Sequence, residues 1–241
     1  MFEAEELGDI HSTHRSSATS ILLILVGLVF VVSAIGVVLT LATTTDELLW
    51  VVPFVIVGVV LIRMAWTRAR TKYEVRADGL LRIRSGKVEA IPWADVSTVR
   101  GSRERRQAAG IPIETAHKLK VSAQDGTTFV INDSTSRVDE LMDSVEESTF
   151  PHLLRKAAAR IEAGNIVTFG RLGLSLAATH QANRSLPWEQ VSSITLSGGT
   201  ISVYTQGKKG KPKFWGGAEV SSVDNVLVFL ALAERFASVV V

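Results

Sequence analysis

At 241 residues, 46% of them hydrophobic, and with a formal net charge of +2, the chain is long enough for one or two cored domains and too weakly basic for nucleic-acid binding by the chain as a whole. It contains no cysteine, which excludes disulfides, thiolate zinc sites and cysteine nucleophiles.

Residues 1–19 are polar, with Glu3, Glu5, Glu6 and Asp9 against Arg15. That composition lacks the basic flank of a secretory signal and reads as a cytoplasmic N-terminal tail. His11 and His14 form an H-x-x-H pair there, but no further ligand is within reach by spacing, so no metal is expected. From Ser20 to Ala42 the chain is apolar and uncharged, longer than a hydrocarbon core of roughly 30 Å requires at about 1.5 Å per helical residue. A second apolar run, Leu48 to Ile62, continues through Arg63 to Trp66, with Trp50 and Trp66 suited to the two interfaces and Pro53 close to the helix start. Arg63, Arg68, Arg70 and Lys72 follow, whereas the short connection from Thr43 to Glu47 carries no Lys or Arg. The positive-inside rule then predicts a two-helix transmembrane hairpin over 20–66, a multi-pass cell-membrane location and both termini in the cytoplasm.

Beyond the apolar runs the sequence repeats itself. "YEVRADGLLRIRSGKVEAIPWADVSTV" begins at Tyr73 and "VTFGRLGLSLAATHQANRSLPWEQVSSI" at Val167. Both read as a strand, a Gly-Leu pair (Gly79-Leu80, Gly173-Leu174), an alternating strand, a polar turn, the Pro-Trp signature (Pro92-Trp93, Pro187-Trp188) and another strand. Each copy continues into a hairpin. In the first, Asp125-Gly126 is a two-residue turn signal, and in the second the turn spreads from Gly207 to Pro212. Each then closes with an amphipathic helix. One carries Val138, Leu141, Met142 and Val145 on one face, and the other Val223, Val226, Leu227, Leu230, Ala231 and Phe236. Thr135 or Ser136, and Ser221 or Ser222, are the N-caps expected for these helices. A repeat of about 95 residues is too long for a solenoid unit and suits a small domain.

At "GLLRIRSGKVEAIPWADVSTV" and "LGLSLAATHQANRSLPWEQVSSI" the chain resembles the bacterial PH-like domains found in small membrane-anchored proteins. The resemblance implies an α+β protein: a transmembrane hairpin, PH-like domain 1 over 72–150, a linking helix over 151–164, and PH-like domain 2 over 165–241, each domain an antiparallel barrel capped by a helix. It carries no catalytic residues. Two departures from an equal tandem are the insert Ser102 to Glu114 in the first copy and the helical stretch Pro151 to Gly164 between the copies.

Proline sets its own φ and biases the preceding Ile91 or Leu186 toward an extended conformation. Trp93 and Trp188 then offer large apolar surface at matching points, either to a core or to a stacking ligand. His117 and His180 fall in or beside strands, His152 follows Pro151, and no hydrolase, zincin or P-loop motif is present; neither an enzyme nor a cofactor is expected. Two basic clusters remain as ligand-binding candidates: Arg103, Arg105 and Arg106 beside Arg100, and Lys208, Lys209, Lys211 and Lys213 followed by Phe214 and Trp215. Each reads either as a solvated hairpin tip or as a patch for an anionic surface. The function expected is a membrane-anchored, non-enzymatic scaffold at the cytoplasmic face, binding another protein or itself through a sheet edge or the groove beside a helix. Recognition of anionic lipid or phosphate through the two basic loops is the alternative. Nucleic acid is not an expected partner.

Overall fold

The computed structural model describes residues 7–15, 19–41, 45–69, 71–108, 111–207 and 210–240. These fall into two compact units, Met1–Ala90 with Asp133–Leu141, and Ile91–Asn132 with Met142–Val241.

The first unit begins with a strand where a tail was expected. β1 (Ile10–Arg15) is polar apart from Ile10 and pairs antiparallel with β2 (Thr71–Arg76), Thr13 opposite Glu74 and Arg15 opposite Lys72. His14 is buried and spends both ring nitrogens locally, Nε2 on Ser12 Oγ at 3.0 Å and Nδ1 on the Ser136 carbonyl at 3.3 Å. Ser136 is not a helix cap; its N–H donates to the Arg15 carbonyl at 2.7 Å and its hydroxyl accepts from the Arg15 N–H. Between the two strands run α1 (Thr19–Leu41) and α2 (Thr45–Ala69). They approach closely at Gly27 and Gly58, where a Cβ on either glycine would lie 3.0 Å from the other's carbonyl oxygen.

The expected transmembrane hairpin is not supported. Among the described residues no helix is long and apolar enough to cross a membrane. The described side chains of α1 end at Gly36, and α2 includes Asp46, Glu47, Arg63 and Arg68 within its bounds, which interrupt the apolar run that a span of about 20 residues needs. With the hairpin go the multi-pass membrane location with cytoplasmic termini and the membrane-anchored scaffold role.

The sheet of this unit has the order β1-β2-β3-β4, with β3 (Gly79–Arg84) and β4 (Lys87–Pro92) following by short turns. Glu74 on β2 is 4% exposed and lies between Lys72 Nζ at 2.6 Å and Arg76 Nη2 at 2.9 Å. Burial works to raise the Glu74 carboxyl, but the hydrogen bonds and charges of Lys72 and Arg76 outweigh it and hold the group below the usual carboxylate range.

The second unit opens on the Pro-Trp step. Pro92 (φ −61°, ψ 142°) leads into a 3₁₀ turn, Trp93–Asp95, and the Val96 N–H closes it on the Trp93 carbonyl. A three-stranded antiparallel sheet follows: β5 (Val96–Ala108), β6 (Ile111–Ala123) and β7 (Thr128–Asn132), with β6 in the middle. The expected insert is thus the far half of a long hairpin. Its Asp125-Gly126 turn is fastened by Thr127, which donates its N–H to Asp125 Oδ1 at 2.8 Å. α3 (Val138–Glu162) runs without a break through Pro151, so the first copy's helix and the expected linking helix are one element.

The second copy has β8 (Val167–Phe169), β9 (Leu172–Leu174), β10 (Ala178–Gln181) and β11 (Arg184–Pro187) in sequential antiparallel order. Gly170, at φ +68° in the β8–β9 turn, is where an added Cβ would collide with the Ser222 carbonyl. Pro187 (φ −56°, ψ 145°) again enters a 3₁₀ turn, Trp188–Gln190, closed by the Val191 N–H on the Trp188 carbonyl. β12 (Val191–Ser197), β13 (Thr200–Gln206) and β14 (Pro212–Glu219) form the second sheet. α4 (Val226–Ala233) packs against β9 and reaches β8 through an edge-to-face pair, Phe169 with Phe229, and β15 (Val239–Val240) then lies parallel against β12. Among the described residues the second copy is made of two four-stranded sheets, β11-β10-β9-β8 and β14-β13-β12-β15.

Candidate functional site

The second unit carries an open groove of about 1010 Å³. Val99, Gly101 and Ser102 of β5 form one wall, and Met142, Glu146, Thr149, Phe150 and Leu153 of α3 another. Leu196 and the Gly198–Thr200 turn, the end of β14 at Glu219, and the start of α4 complete it. The lining mixes apolar side chains with glycines, hydroxyls and Asn225, and its titratable side chains are Glu146 and Glu219, both acids. Arg100, the nearest basic residue along β5, is paired with Asp224 at 2.8 Å.

One end of the groove is closed by Asn225. This residue sits in the left-handed region (φ 51°, ψ 49°) at the start of α4, and its side chain does not cap the helix. Instead it treats β5 as a strand would: its N–H donates to the Val99 carbonyl at 2.7 Å, its Oδ1 accepts from the Val99 N–H at 2.6 Å, and its Nδ2 donates to the Ser97 carbonyl at 3.2 Å. An Asn tolerates this backbone conformation better than most residues do. Sequence reading placed the cap at Ser221 or Ser222 and missed Asn225. Ser222 in fact bonds the Glu219 carbonyl at 2.8 Å, and the one signal available was an Asn directly before an apolar helical run.

The sequence-predicted residues are dispersed. Trp93 is buried at 3% exposure, whereas Trp188 is half-buried, stacked on Phe236 with centroids 4.9 Å apart and donating Nε1–H to the Ser175 carbonyl at 2.9 Å. Pro92 and Pro187 occupy matching places before their 3₁₀ turns. Arg103, Arg105 and Arg106 lie on β5 opposite His117, Thr115 and Glu114, and their side chains are outside the described residues. Lys208 and Lys209 are also outside the described residues. Lys211 and Lys213 are exposed at the β13–β14 turn, so the two basic stretches belong to different hairpins of different sheets. Trp215 does not stand free beside the lysines: Arg184 lies 4.9 Å over its ring and donates to its carbonyl at 3.0 Å. His180 Nε2 meets Ser175 Oγ at 3.0 Å, but Ser175 also bonds the Ala178 backbone and so belongs to a turn.

A family model matches residues 1–240, and its description is a family of unknown function, DUF6585. The chain belongs to this family. No curated protein matches this DUF6585 member. Among its described residues, no group of three or more His, Asp or Glu side chains is arranged to hold a metal ion.

Proposed function

We propose that this DUF6585 chain is a non-enzymatic protein-binding module, that its two repeats are PH-like units, and that the groove walled by β5, α3 and α4 is where a segment of a partner protein docks. The repeated order of four strands, a Pro-Trp turn, a second sheet and a helix supports the PH-like reading. The observation that carries the binding reading is the groove itself: about 1010 Å³, more apolar than polar in its lining, at the upper end of the roughly 300–1,000 Å³ typical of ligand clefts. Leu227, which lines the groove, is an apolar side chain with 47% of its surface exposed to solvent.

A photo-crosslinking residue at position 227 tests this, with Leu176, equally exposed but outside the groove, as the control site. The reading requires one partner trapped from position 227 and not from 176, and binding of that purified partner to the wild-type chain but not to Leu227→Asp. Equal binding of the purified partner by wild type and Leu227→Asp overturns it.

A further inference from the structure

We propose that two copies of this chain pair through α1, along a stripe made by Leu22, Leu25, Val29 and Val32. This surface belongs to the first unit, and the proposal is independent of the groove reading.

Spacing and exposure point to the same four residues. They follow one another at intervals of three, four and three, the repeat that keeps side chains on one seam between paired helices. All four are exposed, from 52% to 63% of their surface. The other side of α1 is already used within the hairpin: Gly27 lies against Gly58 of α2, a Cβ on Gly58 would meet Val31 Cγ2 at 2.7 Å, and Ala34 is buried. In one seven-residue frame, Gly27 and Ala34 share a position opposite the stripe, whereas Val26, Leu28 and Ile35 fall on its two flanks and are exposed as well. The helix therefore has one seam facing α2 and a second, equally apolar one facing solvent.

Area and charge select a second copy as the occupant. The stripe and its flanks expose on the order of 600 Å² of apolar side chain per copy, so a pair covers roughly the 1,200 Å² at which specific interfaces begin. An uncovered apolar patch of that size marks an interaction surface. From Thr19 to Leu41 the helix has no charged residue, so it offers no ionic group by which to select a different protein. Two copies related by a two-fold axis bring identical apolar stripes together with no like charges opposed.

The chain has no cysteine, so a single one reports its own position. Two differently tagged full-length copies, both carrying Val29→Cys, are co-expressed and the lysate is oxidised. Val29 stands in the middle of the stripe, and a two-fold axis there brings it to its own counterpart whether the helices run parallel or antiparallel. A disulfide-linked pair containing both tags is expected. Ile56→Cys on α2, 56% exposed, should give little of it, although it is as accessible to random collision. Adding Val32→Asp to the Val29→Cys chain should lower the linked fraction about tenfold, because each copy then brings a carboxylate into an apolar seam. Adding Val57→Asp, an exposed position on α2, should leave it unchanged. No linkage from position 29, equal linkage from positions 29 and 56, or equal losses from Val32→Asp and Val57→Asp overturns the pairing.

Discussion

The two repeats run through the same element order and differ at two points, which separates what the fold requires from what has been added to it. Each has four antiparallel strands, a Pro-Trp 3₁₀ turn, a second sheet and a helix. In both, the carbonyl of the last residue of the 3₁₀ turn is taken up by the neighbouring hairpin: Asp95 accepts from the Gln124 N–H at 3.0 Å and Gln190 from the Thr205 hydroxyl at 2.8 Å. The first difference lies after the first strand. β8 and β9 are joined by Gly170 and Arg171, whereas β1 and β2 are separated by α1 and α2. The helical hairpin therefore lies between two strands that pair with each other. The second difference lies beside the fifth strand, which pairs with a parallel strand in one copy and takes the backbone and side-chain hydrogen bonds of Asn225 in the other.

The comparison is sharpened first at the paired tryptophans. Trp93→Ala should destabilise by about 3–5 kcal/mol, because the ring is buried and leaves a cavity. Trp188→Ala should cost less, about 2 kcal/mol, the worth of one aromatic stack and one hydrogen bond on a half-buried ring. Denaturant unfolding of the two variants measures the gap, and equal losses would break the distinction.

Next comes the edge. Asn225→Ala strips the acceptor from the Val99 N–H and should lower stability by about 1–3 kcal/mol, with faster exchange of the Val99 amide. Asn225→Gly suits the left-handed backbone but loses the same side-chain bonds, so it should recover only a few tenths of a kcal/mol. Full recovery by glycine would mean that backbone conformation, and not strand imitation, is what Asn225 supplies.

A third contrast is electrostatic. Lys72, Glu74 and Arg76 tie β2 together, and the short strand Leu172–Leu174 has no such charges. The carboxyl of Glu74 is depressed in the folded chain, so its stabilisation is present above the ordinary value near 4.5 and is lost as pH falls through the lower folded value. Glu74→Gln should cost about 1–2 kcal/mol at neutral pH, and the difference from wild type should shrink on acidification below about pH 4.5. A difference independent of pH would remove the ion triad from the account.

Much of this was legible in residues whose effect is local. The Pro-Trp steps, the Asp125-Gly126 turn and the buried face of Leu141, Met142 and Val145 on α3 follow from fixed φ, turn chemistry and 3.6-residue spacing, whereas in α4 the expected face named Leu227, which is exposed, and missed Val228, Phe229 and Leu232, which are buried. β1 was not legible, because "IHSTHR" has little apolar alternation and earns its place by pairing with Thr71–Arg76, far along the chain. Nor was the continuity of α3, since a proline inside a helix normally marks an end. The edge role of Asn225 lies in contacts across more than a hundred residues that no local pattern encodes. The apolar runs pointed to a membrane span on hydropathy alone, a reading that the described helices do not support.

The central claim is that β1 completes the first sheet from the far side of α1 and α2, held by its pairing with β2 and not by the helices between them. Replacing residues 16–70 by Gly-Arg, the connection used between β8 and β9, tests it, with amide exchange of the shortened chain as the readout. The claim predicts that the β1 and β2 amides, from Thr13 opposite Glu74 to Arg15 opposite Lys72, keep their protection and that unfolding remains cooperative. Free exchange along β1 in an otherwise folded chain would contradict it.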